Sequence, residues 1–306
     1  MKYDLRGKVI IITGANSGIG KAASIQLAQC GATVIMACRS MERGAKALDD
    51  VRRTANSKCV ELMQVDLSSQ GSIHRFAEAF QMRHQYLHVL IHNAANFDQS
   101  IKKPVLTPDS VETIFATNHV GPFLLTHLLL DTLKASTPSR IVTVASKGLI
   151  FFPNLDVEFD NLNGEREFNP RHAYYQSKQA QIMFTYELAQ QLRETGVTVN
   201  CVRVAFVALS DERISQLSQS EFARRLHRLK RHMAITPECV AEVYTYLAAG
   251  PVVQNISGGY WDENCHQIRS NKKSYNRETW RRLWNETERL AGLQADPLYA
   301  EIGRAD

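Results

Sequence analysis

Short apolar segments alternate with stretches of helical periodicity from the first residues to about residue 260, and this alternation restricts the fold more than any other feature. The segments predicted as strands are residues 8–13, 33–37, 59–65, 88–92, 141–145, 198–204 and 255–260. Apolar residues three or four apart predict helices over residues 19–30, 41–53, 72–83, 111–134 and 173–194. Strands separated by helices form βαβ units. We therefore predict an α/β chain with one doubly wound parallel sheet of about seven strands and helices on both faces.

Three segments depart from this alternation. Residues 147–172 are rich in Pro, Asn and Gly and are predicted as a long loop. Residues 210–232 carry six cations and three acids, a net +3 that fits either a solvated face or an anion-attracting surface. Residues 261–306 are predicted as a C-terminal helical extension. Its packing stripe consists of Trp280, Leu283, Trp284, Thr287 and Leu290.

Composition excludes several classes of function. The 36 Lys and Arg residues exceed the 31 Asp and Glu residues by five, too few to indicate nucleic acid or a membrane surface as partner. The six cysteines are scattered, which predicts neither a disulfide framework nor a metal site and favours a reducing compartment. The most apolar stretch, residues 122–130, is far shorter than a membrane span of about 20 residues. We expect a cytoplasmic protein without a membrane span.

A glycine-rich turn follows the first predicted strand. Glycines in this turn allow close approach of a ligand, and the helix that follows directs unpaired N–H groups at a phosphate. Its sequence context, between a strand and a helix, favours a dinucleotide-binding turn over a merely structural one. The domain is therefore interpreted as an NAD(P)-binding Rossmann domain over residues 1–306. The turn residues predicted to contact the cofactor are Gly14, Asn16, Ser17, Gly18, Ile19 and Gly20.

The end of the second strand indicates which cofactor binds. An NAD-selective site usually has an acid there for the ribose hydroxyls, whereas this chain has Arg39, with Arg43 one helical turn later. A guanidinium can bind a phosphate through two charge-assisted hydrogen bonds, so NADP(H) is favoured over NAD(H). The alternative is that Arg39 only solvates the strand end. Asp66, followed by Leu67, either contacts the adenine or belongs to the first turn of a helix.

Tyr174 and Lys178 lie four residues apart in a predicted helix and so share one face. A phenol titrates near pH 10 and is a weak base at neutral pH. A cation about 4 Å away contributes about 4 kcal/mol at an effective dielectric of about 20, or roughly three pKa units. Such a pair can exchange a proton with a substrate oxygen. Solvated helix faces also carry such pairs, and Tyr175 is an alternative for the same role.

The chain resembles the short-chain dehydrogenase/reductase family at this point. The residues that carry the resemblance, in the family's order, are residues 13–20, Asn93-Ala94, Asn118, Ser146 and Tyr174-x-x-x-Lys178. Within the family, the sequence is similar to the branch of the retinol dehydrogenases and WW-domain-containing oxidoreductases, although it contains no WW domain. The resemblance covers about residues 5–260 and implies a dinucleotide-dependent oxidoreductase.

The resemblance also implies a role for each catalytic residue. Tyr174 would act as general acid and base, and Lys178 would lower the pKa of Tyr174 and hold the nicotinamide ribose. Ser146 would donate a hydrogen bond to the substrate oxygen, and Asn118 would shape its helix and hold a water that links Lys178 to solvent. The family usually dimerises through the helices that carry Asn118 and Tyr174, which makes a homodimer a further expectation.

Two positions depart from the family pattern. Asn93 and Ala94 would line the adenosine side of the cleft, but the third residue of this motif is Ala95 instead of glycine. The Pro-Gly expected after the sixth strand is replaced by residues 204–207, and the backbone of Val207 is expected to serve in its place. This loop normally binds the nicotinamide carboxamide. Its change is the one argument for a second reading, a nucleotide-binding scaffold or sensor without turnover.

The predicted function is an NADP(H)-dependent oxidoreductase that interconverts a carbonyl compound and an alcohol. The resemblance implies that residues 147–172 and 205–235 are the substrate loop and lid. The substrate loop contains an apolar run suited to a lipophilic or aromatic ketone, aldehyde or secondary alcohol, although such residues also anchor loops to a core. These residues are Leu149, Ile150, Phe151, Phe152 and Leu155.

Overall fold

One sheet of eight strands forms the centre of the computed structural model, which describes residues 3–207 and 234–293. Its strands are β1 (Val9–Thr13), β2 (Thr33–Cys38), β3 (Val60–Gln64), β4 (Val89–Ile91), β5 (Ser139–Ser146), β6 (Val197–Val204), β7 (Gly259–Trp261) and β8 (Gln267–Ile268). Their order across the sheet is β3-β2-β1-β4-β5-β6-β7-β8. Neighbouring strands from β3 to β7 are parallel, and β8 alone pairs antiparallel with β7.

Helices cover both faces of this sheet. They are α1 (Gly18–Gln29), α2 (Met41–Ala55), α3 (Gln70–Arg83), α4 (Gly121–Ala135), α5 (Pro170–Gln191), α6 (Pro237–Ala249) and α7 (Arg277–Leu290). A helical turn at Thr113–Phe115 and a π-helical turn at Ala116–Val120 lead directly into α4. None of the helices in the described ranges is both long and apolar enough to cross a membrane.

The sequence predicted the fold class, and the structure confirms it with eight strands instead of about seven. The missed strand, β8, has two residues and pairs with β7 after a short reversal, so it has no periodicity to detect. Helix α6 was also missed. The predicted loop over residues 147–172 begins with a short 3-10 helix and ends earlier than expected, because Asn169 caps α5 and Pro170 is its first residue. The basic lid segment, residues 210–232, lies outside the described residues.

The C-terminal helix packs as its apolar stripe predicts. All five stripe residues are buried. The Trp284 ring lies 4.7 Å from the Phe123 ring of α4 and 6.0 Å from the Phe184 ring of α5, measured between centroids. Helix α7 thus covers the side of α4 and α5 that carries these two rings.

Candidate active site

A cleft of about 950 Å³ opens where β1, β2, β3 and β4 end at the carboxyl edge of the sheet. This is the edge at which parallel α/β sheets bind ligands. The predicted cofactor residues that line it are Gly14, Asn16, Ser17, Gly18, Ile19, Arg39, Asp66, Leu67, Asn93, Ala94 and Val207. Gly20, Tyr174 and Lys178 do not line this cleft.

Two glycines let the turn after β1 pack against the end of β4. Gly14 has a φ of +66°, and a Cβ there would lie 2.9 Å from the Cα of Ala94. A Cβ on Gly20 would lie 2.5 Å from Nδ2 of Asn93. Gly20 therefore serves the close approach of α1 to β4 instead of contacting the cleft.

The first turn of α1 is suited to an anion. Its N-cap, Ser17, makes no side-chain capping bond, and the turn contains no acid. Helix α2, by contrast, has its N-cap Ser40 accepting from the amide of Arg43 and carries Glu42. The N–H groups of α1 are therefore available to a phosphate at the cleft, which together with the glycine cradle fits a dinucleotide.

The far end of the cleft is rich in cations. Arg39 is exposed and, within the described ranges, forms no ion pair. Arg43 lines the same end. Lys21 also lines it, but its Nζ is paired with Asp50 at 2.7 Å. The two arginines are thus the cations that remain for a phosphate on the adenosine ribose.

Asp66 lies three residues before Ser69, the N-cap of α3, so it does not belong to the first turn of that helix, which contains no acid. It lines the cleft, and its Oδ1 accepts from the amide of Ser68 at 3.0 Å and from the Ser68 hydroxyl at 2.6 Å. Its carboxylate therefore shapes the turn after β3. Ser69 caps α3 by accepting from the amide of Ser72.

Asn93 connects three elements beneath the cleft. Its Nδ2 donates to the carbonyl of Thr13 at 2.9 Å, and its Oδ1 accepts from the hydroxyl of Tyr244 on α6 at 3.2 Å. The amide of Ala94 donates to Oγ1 of Thr13. Tyr244 was not identified from the sequence, because it lies 151 residues from Asn93 and belongs to no motif.

Ser146, Tyr174 and Lys178 meet on the other side of Phe97. Ser146 ends β5, and its side chain is a hydrogen-bonding neighbour that acts on the pKa of the Tyr174 phenol. Nζ of Lys178 donates to the carbonyl of Val144 at 3.0 Å. The Phe97 ring, which also lines the cleft, lies 4.1 Å from the Tyr174 ring, so it joins the cleft to the catalytic residues.

The predicted lowering of the Tyr174 pKa is not seen in this structure. Burial raises the pKa of Tyr174 above its ordinary value, Tyr175 adds to the rise, and the hydrogen bond with Ser146 opposes it. Burial also lowers the pKa of Lys178 to about 8. The reason is geometric: Nζ of Lys178 faces the carbonyl of Val144 and lies 5.7 Å from the centre of the Tyr174 ring.

Asn118 lies in the π-helical turn before α4 and is fully buried. Its Oδ1 accepts from the amide of Asn96 at 2.6 Å, and its Nδ2 donates to Oγ of Ser177 at 3.0 Å. Its carbonyl accepts from Nε2 of Gln181 at 2.7 Å. Asn118 thus joins the end of β4 to the helix that carries Tyr174 and Lys178.

Tyr175, the alternative to Tyr174, is engaged in packing. Its ring packs at a tilt against Phe152, with 4.6 Å between the ring centroids, and its hydroxyl lies against the backbone of Gly148. The geometry therefore favours Tyr174, which is next to Ser146.

The substrate loop divides into two parts. Leu149 and Leu155 are buried in the core, so these two residues anchor the loop. Ile150 and Phe151 are 56% and 72% exposed, which leaves apolar surface just after the catalytic strand β5. Phe152 packs partly buried against Tyr175.

The loop that lacks Pro-Gly still reaches the cleft. Val207 lines the cleft and forms a parallel bridge with Ile235, and the carbonyl of Phe206 accepts from the Ile235 amide at 3.1 Å. The bridge to Ile235 therefore holds the backbone of Val207 at the edge of the cleft, in the segment where the expected Pro-Gly is replaced.

An ion-pair cluster that the sequence did not indicate lies beside Ser146. The next residue, Lys147, pairs with Glu263, and Nε of Arg203 lies 3.2 Å from the other carboxylate oxygen of Glu263. The cluster joins the ends of β5, β6 and β7. No spacing in the sequence points to it, because its members come from three separate loops or strand ends.

Comparisons with known proteins agree with this geometry. A family model described as short chain dehydrogenase matches residues 8–154. Human retinol dehydrogenase 13 is 37% identical over 96% of this chain and 87% of its own length, and human retinol dehydrogenase 11 is 37% identical over 95% and 88%. Human dehydrogenase/reductase SDR family member 13 is also 37% identical, over 95% of this chain and 74% of its own length.

Solved structures show the same fold. An uncharacterized protein from Mycobacterium paratuberculosis superposes with a TM-score of 0.72 at 25% identity, over 96% of this chain and 97% of that one. A short chain dehydrogenase from Shigella flexneri, crystallised with NADP, has a TM-score of 0.66 at 20% identity, over 86% of this chain and all of that one.

Proposed function

Because the chain belongs to the short-chain dehydrogenase/reductase family, in the branch of the retinol dehydrogenases, we propose that it uses NADP(H) in preference to NAD(H) to interconvert a lipophilic carbonyl compound and its alcohol. Family membership makes the chain an oxidoreductase that acts on CH–OH groups. The cofactor preference and the substrate class are our inference from the site.

Arg39 carries the proposed cofactor preference. It follows β2, where an NAD-selective site would have an acid, and its guanidinium forms no ion pair within the described part of the chain. Lys21, by contrast, is paired with Asp50. A ribose phosphate placed near Arg39 would gain charge-assisted hydrogen bonds, and Arg43 would add attraction.

The residues of the chain account for binding and proton transfer. Bound NADPH would supply the hydride at the nicotinamide ring. Ser146 is placed to donate to the substrate oxygen as charge develops on it, because it lies beside the Tyr174 phenol. Tyr174, whose raised pKa keeps it protonated at neutral pH, gives its proton to that oxygen in the reductive direction. Lys178 supplies a nearby positive charge below pH 8.

The apolar surface near Tyr174 supports a lipophilic substrate. Phe97 covers one side of the Tyr174 ring, and Ile150 and Phe151 are exposed on the loop that begins after Ser146. The names of the human relatives at 37% identity point to retinol. We therefore choose all-trans-retinal, the aldehyde that corresponds to retinol, as the first substrate to test.

The experiment is a fluorescence titration with NADPH and NADH, followed by NADPH oxidation with all-trans-retinal. Arg39→Ala tests the cofactor preference, and Arg83→Ala, an exposed arginine at the end of α3, is the matched control. Arg39→Ala should remove about 1.5–3 kcal/mol of charged hydrogen bonding and so weaken NADPH binding about 10- to 100-fold. The affinity for NADH should not change, and Arg83→Ala should change neither affinity.

The outcomes separate the two readings of the sequence. Equal binding of NADPH and NADH by the wild type would contradict the preference for NADP(H). Tight NADPH binding without turnover of any carbonyl in a broad panel would favour the nucleotide-binding scaffold instead.

A further inference from the structure

A buried hydrogen-bond chain connects the C-terminal helix to Asn118. Oγ1 of Thr287 on α7 lies 2.9 Å from Nε2 of His119, the residue after Asn118. Nδ1 of His119 lies 3.5 Å from Nε2 of Gln181, which also donates to the carbonyl of Asn118. Each of these residues is at most 1% exposed.

In each bond of this hydrogen-bond chain, the other partners of the two groups show which group is the donor and which is the acceptor. Thr287 already donates its hydroxyl proton to the carbonyl of Leu283 at 2.6 Å, so it must accept from His119. His119 therefore carries its proton on Nε2, and its bare Nδ1 is an acceptor. The two N–H groups of the Gln181 amide then point to His119 Nδ1 and to the Asn118 carbonyl. Burial lowers the pKa of His119 to about 3, so the ring is neutral, as this arrangement requires.

The hydrogen-bond chain also reaches α5, the helix that carries Tyr174. The Asn118 amide donates to Oγ of Ser177, whose hydroxyl donates to the carbonyl of Tyr174 at 2.7 Å. Ser177 and Gln181 are four residues apart on α5 and hold Asn118 at its side chain and at its carbonyl. Helix α7, near the C-terminal end of the polypeptide, therefore helps to fix the orientation of the π-helical turn that contains Asn118.

We propose that Thr287, His119 and Gln181 are positioning residues for the reaction, through which α7 holds the Asn118 turn against the helix of Tyr174 and Lys178. The proposal rests on the proposed function, because it assigns these residues to that same site. It gives the C-terminal extension a part in catalysis that its packing stripe alone does not imply.

Thr287→Val tests the proposal, because it keeps the shape of the side chain and removes the hydroxyl. Thr287→Ser restores the hydroxyl and is the rescue variant. Thr126→Val is a matched control: Thr126 is equally buried, donates to the carbonyl of Pro122, and lies 2.7 Å from Nε2 of His92. Nδ1 of His92 has no partner among the described residues, so this pair does not continue to Asn118.

We expect Thr287→Val to lower kcat with all-trans-retinal about five- to tenfold, with the KM for NADPH changed less than about twofold. Thr287→Ser should return kcat to within about twofold of the wild type. Thr126→Val should lower the Tm by an amount similar to Thr287→Val and leave kcat unchanged. If Thr287→Val and Thr126→Val lower the Tm by the same amount and have the same kcat as each other, the proposal is overturned.

Hydrogen exchange gives a readout that needs no substrate. The amide of Asn96 donates to Oδ1 of Asn118, so looser positioning of Asn118 should speed its exchange. We expect faster exchange at Asn96 in Thr287→Val and not in Thr126→Val. An inactive wild type would refute the proposed function alone, whereas unchanged exchange in Thr287→Val would refute the positioning role.

Discussion

Nζ of Lys178 lies 5.7 Å from the centre of the Tyr174 ring and donates to the carbonyl of Val144. The cation is thus buried beside the phenol, and the nearby Cys201 thiol opposes the effect of burial on its pKa only in part. A buried ammonium is costly for the fold, and the lowered pKa of Lys178 measures that cost. At neutral pH the site therefore holds the Lys178 ammonium in its charged form, although burial disfavours that form.

We expect Lys178→Met to stabilise the protein at neutral pH while abolishing activity. The pKa of Lys178 falls from an ordinary 10.5 to about 8 in the fold. The unfolded chain therefore binds more protons between these values, and wild-type stability rises from pH 8 to 10.5. Below pH 8 the buried charge costs roughly 3 kcal/mol. The lost hydrogen bond to Val144 offsets about 1 kcal/mol of the gain.

Urea unfolding between pH 6 and pH 10 measures this effect. We expect Lys178→Met to be more stable than the wild type by about 1–2 kcal/mol at pH 7, with the difference shrinking as the pH rises. Lys134→Met, at an exposed position on α4, should show no such trend. A variant less stable than the wild type at every pH would show that burial does not penalise Lys178.

Replacement of Tyr174 by Phe should remove the proton donor and leave the cofactor site intact. We expect kcat to fall about 100-fold or more, since general acid catalysis contributes about 10² to 10⁴. NADPH affinity should not change, because Tyr174 does not line the cleft. Tyr175→Phe is the control, and comparable losses in both variants would contradict the assignment of Tyr174.

The raised pKa of Tyr174 predicts different pH profiles for the two directions of the reaction. Reduction needs the protonated phenol, which predominates throughout the neutral range, so its rate should be flat between pH 6 and pH 7 and fall only as Lys178 loses its charge near pH 8. Oxidation needs the phenolate, whose fraction grows about tenfold per pH unit below the pKa. Steady-state rates in both directions check this, and an oxidation rate independent of pH would exclude Tyr174 as the base.

The parts of the site that the sequence predicted are local. The turn of residues 13–20 could be interpreted because its glycines lie between a strand and a helix, and the structure shows that Gly14 has a positive φ. Six of the predicted strands could be found because apolar residues predominate in them, whereas residues 255–260 overlap β7 only at residues 259 and 260. In each case the residues that decide the structure are neighbours in sequence.

The parts that sequence reasoning missed depend on distant residues. The bond between Asn93 and Tyr244 joins residues 151 positions apart, and Thr287 and His119 are separated by 168. Single-sequence periodicity does not relate such positions. The pKa shift of Tyr174 had the wrong sign for a similar reason: the four-residue spacing gives a shared helix face but not the direction of the Lys178 side chain or the degree of burial.

Gly14→Ala and Gly71→Ala should have opposite effects on stability. At Gly14 a methyl group would meet the backbone of Ala94 in a left-handed conformation, so we expect a loss of about 1–3 kcal/mol together with weaker NADPH binding. Gly71 lies in α3 with only a side-chain atom of Arg75 nearby, so alanine should stabilise by about 0.5 kcal/mol. Urea unfolding and NADPH titration check both, and an unperturbed Gly14→Ala variant would contradict the close packing of the turn.

The docking of α7 predicts the mass of the protein in solution. Trp284 covers Phe123 of α4 and Phe184 of α5, the two helices through which the family resemblance implied dimerisation. A partner would have to displace this contact, so we expect light scattering to give the monomer mass of 34.5 kDa.

Trp284→Ala should lower the free energy of unfolding by about 3–5 kcal/mol and uncover both phenylalanines. Exposed apolar surface favours association, so this variant should show a mass that rises with concentration. A wild-type mass of twice the monomer would mean that the dimer forms despite the cover of α7, or through another face.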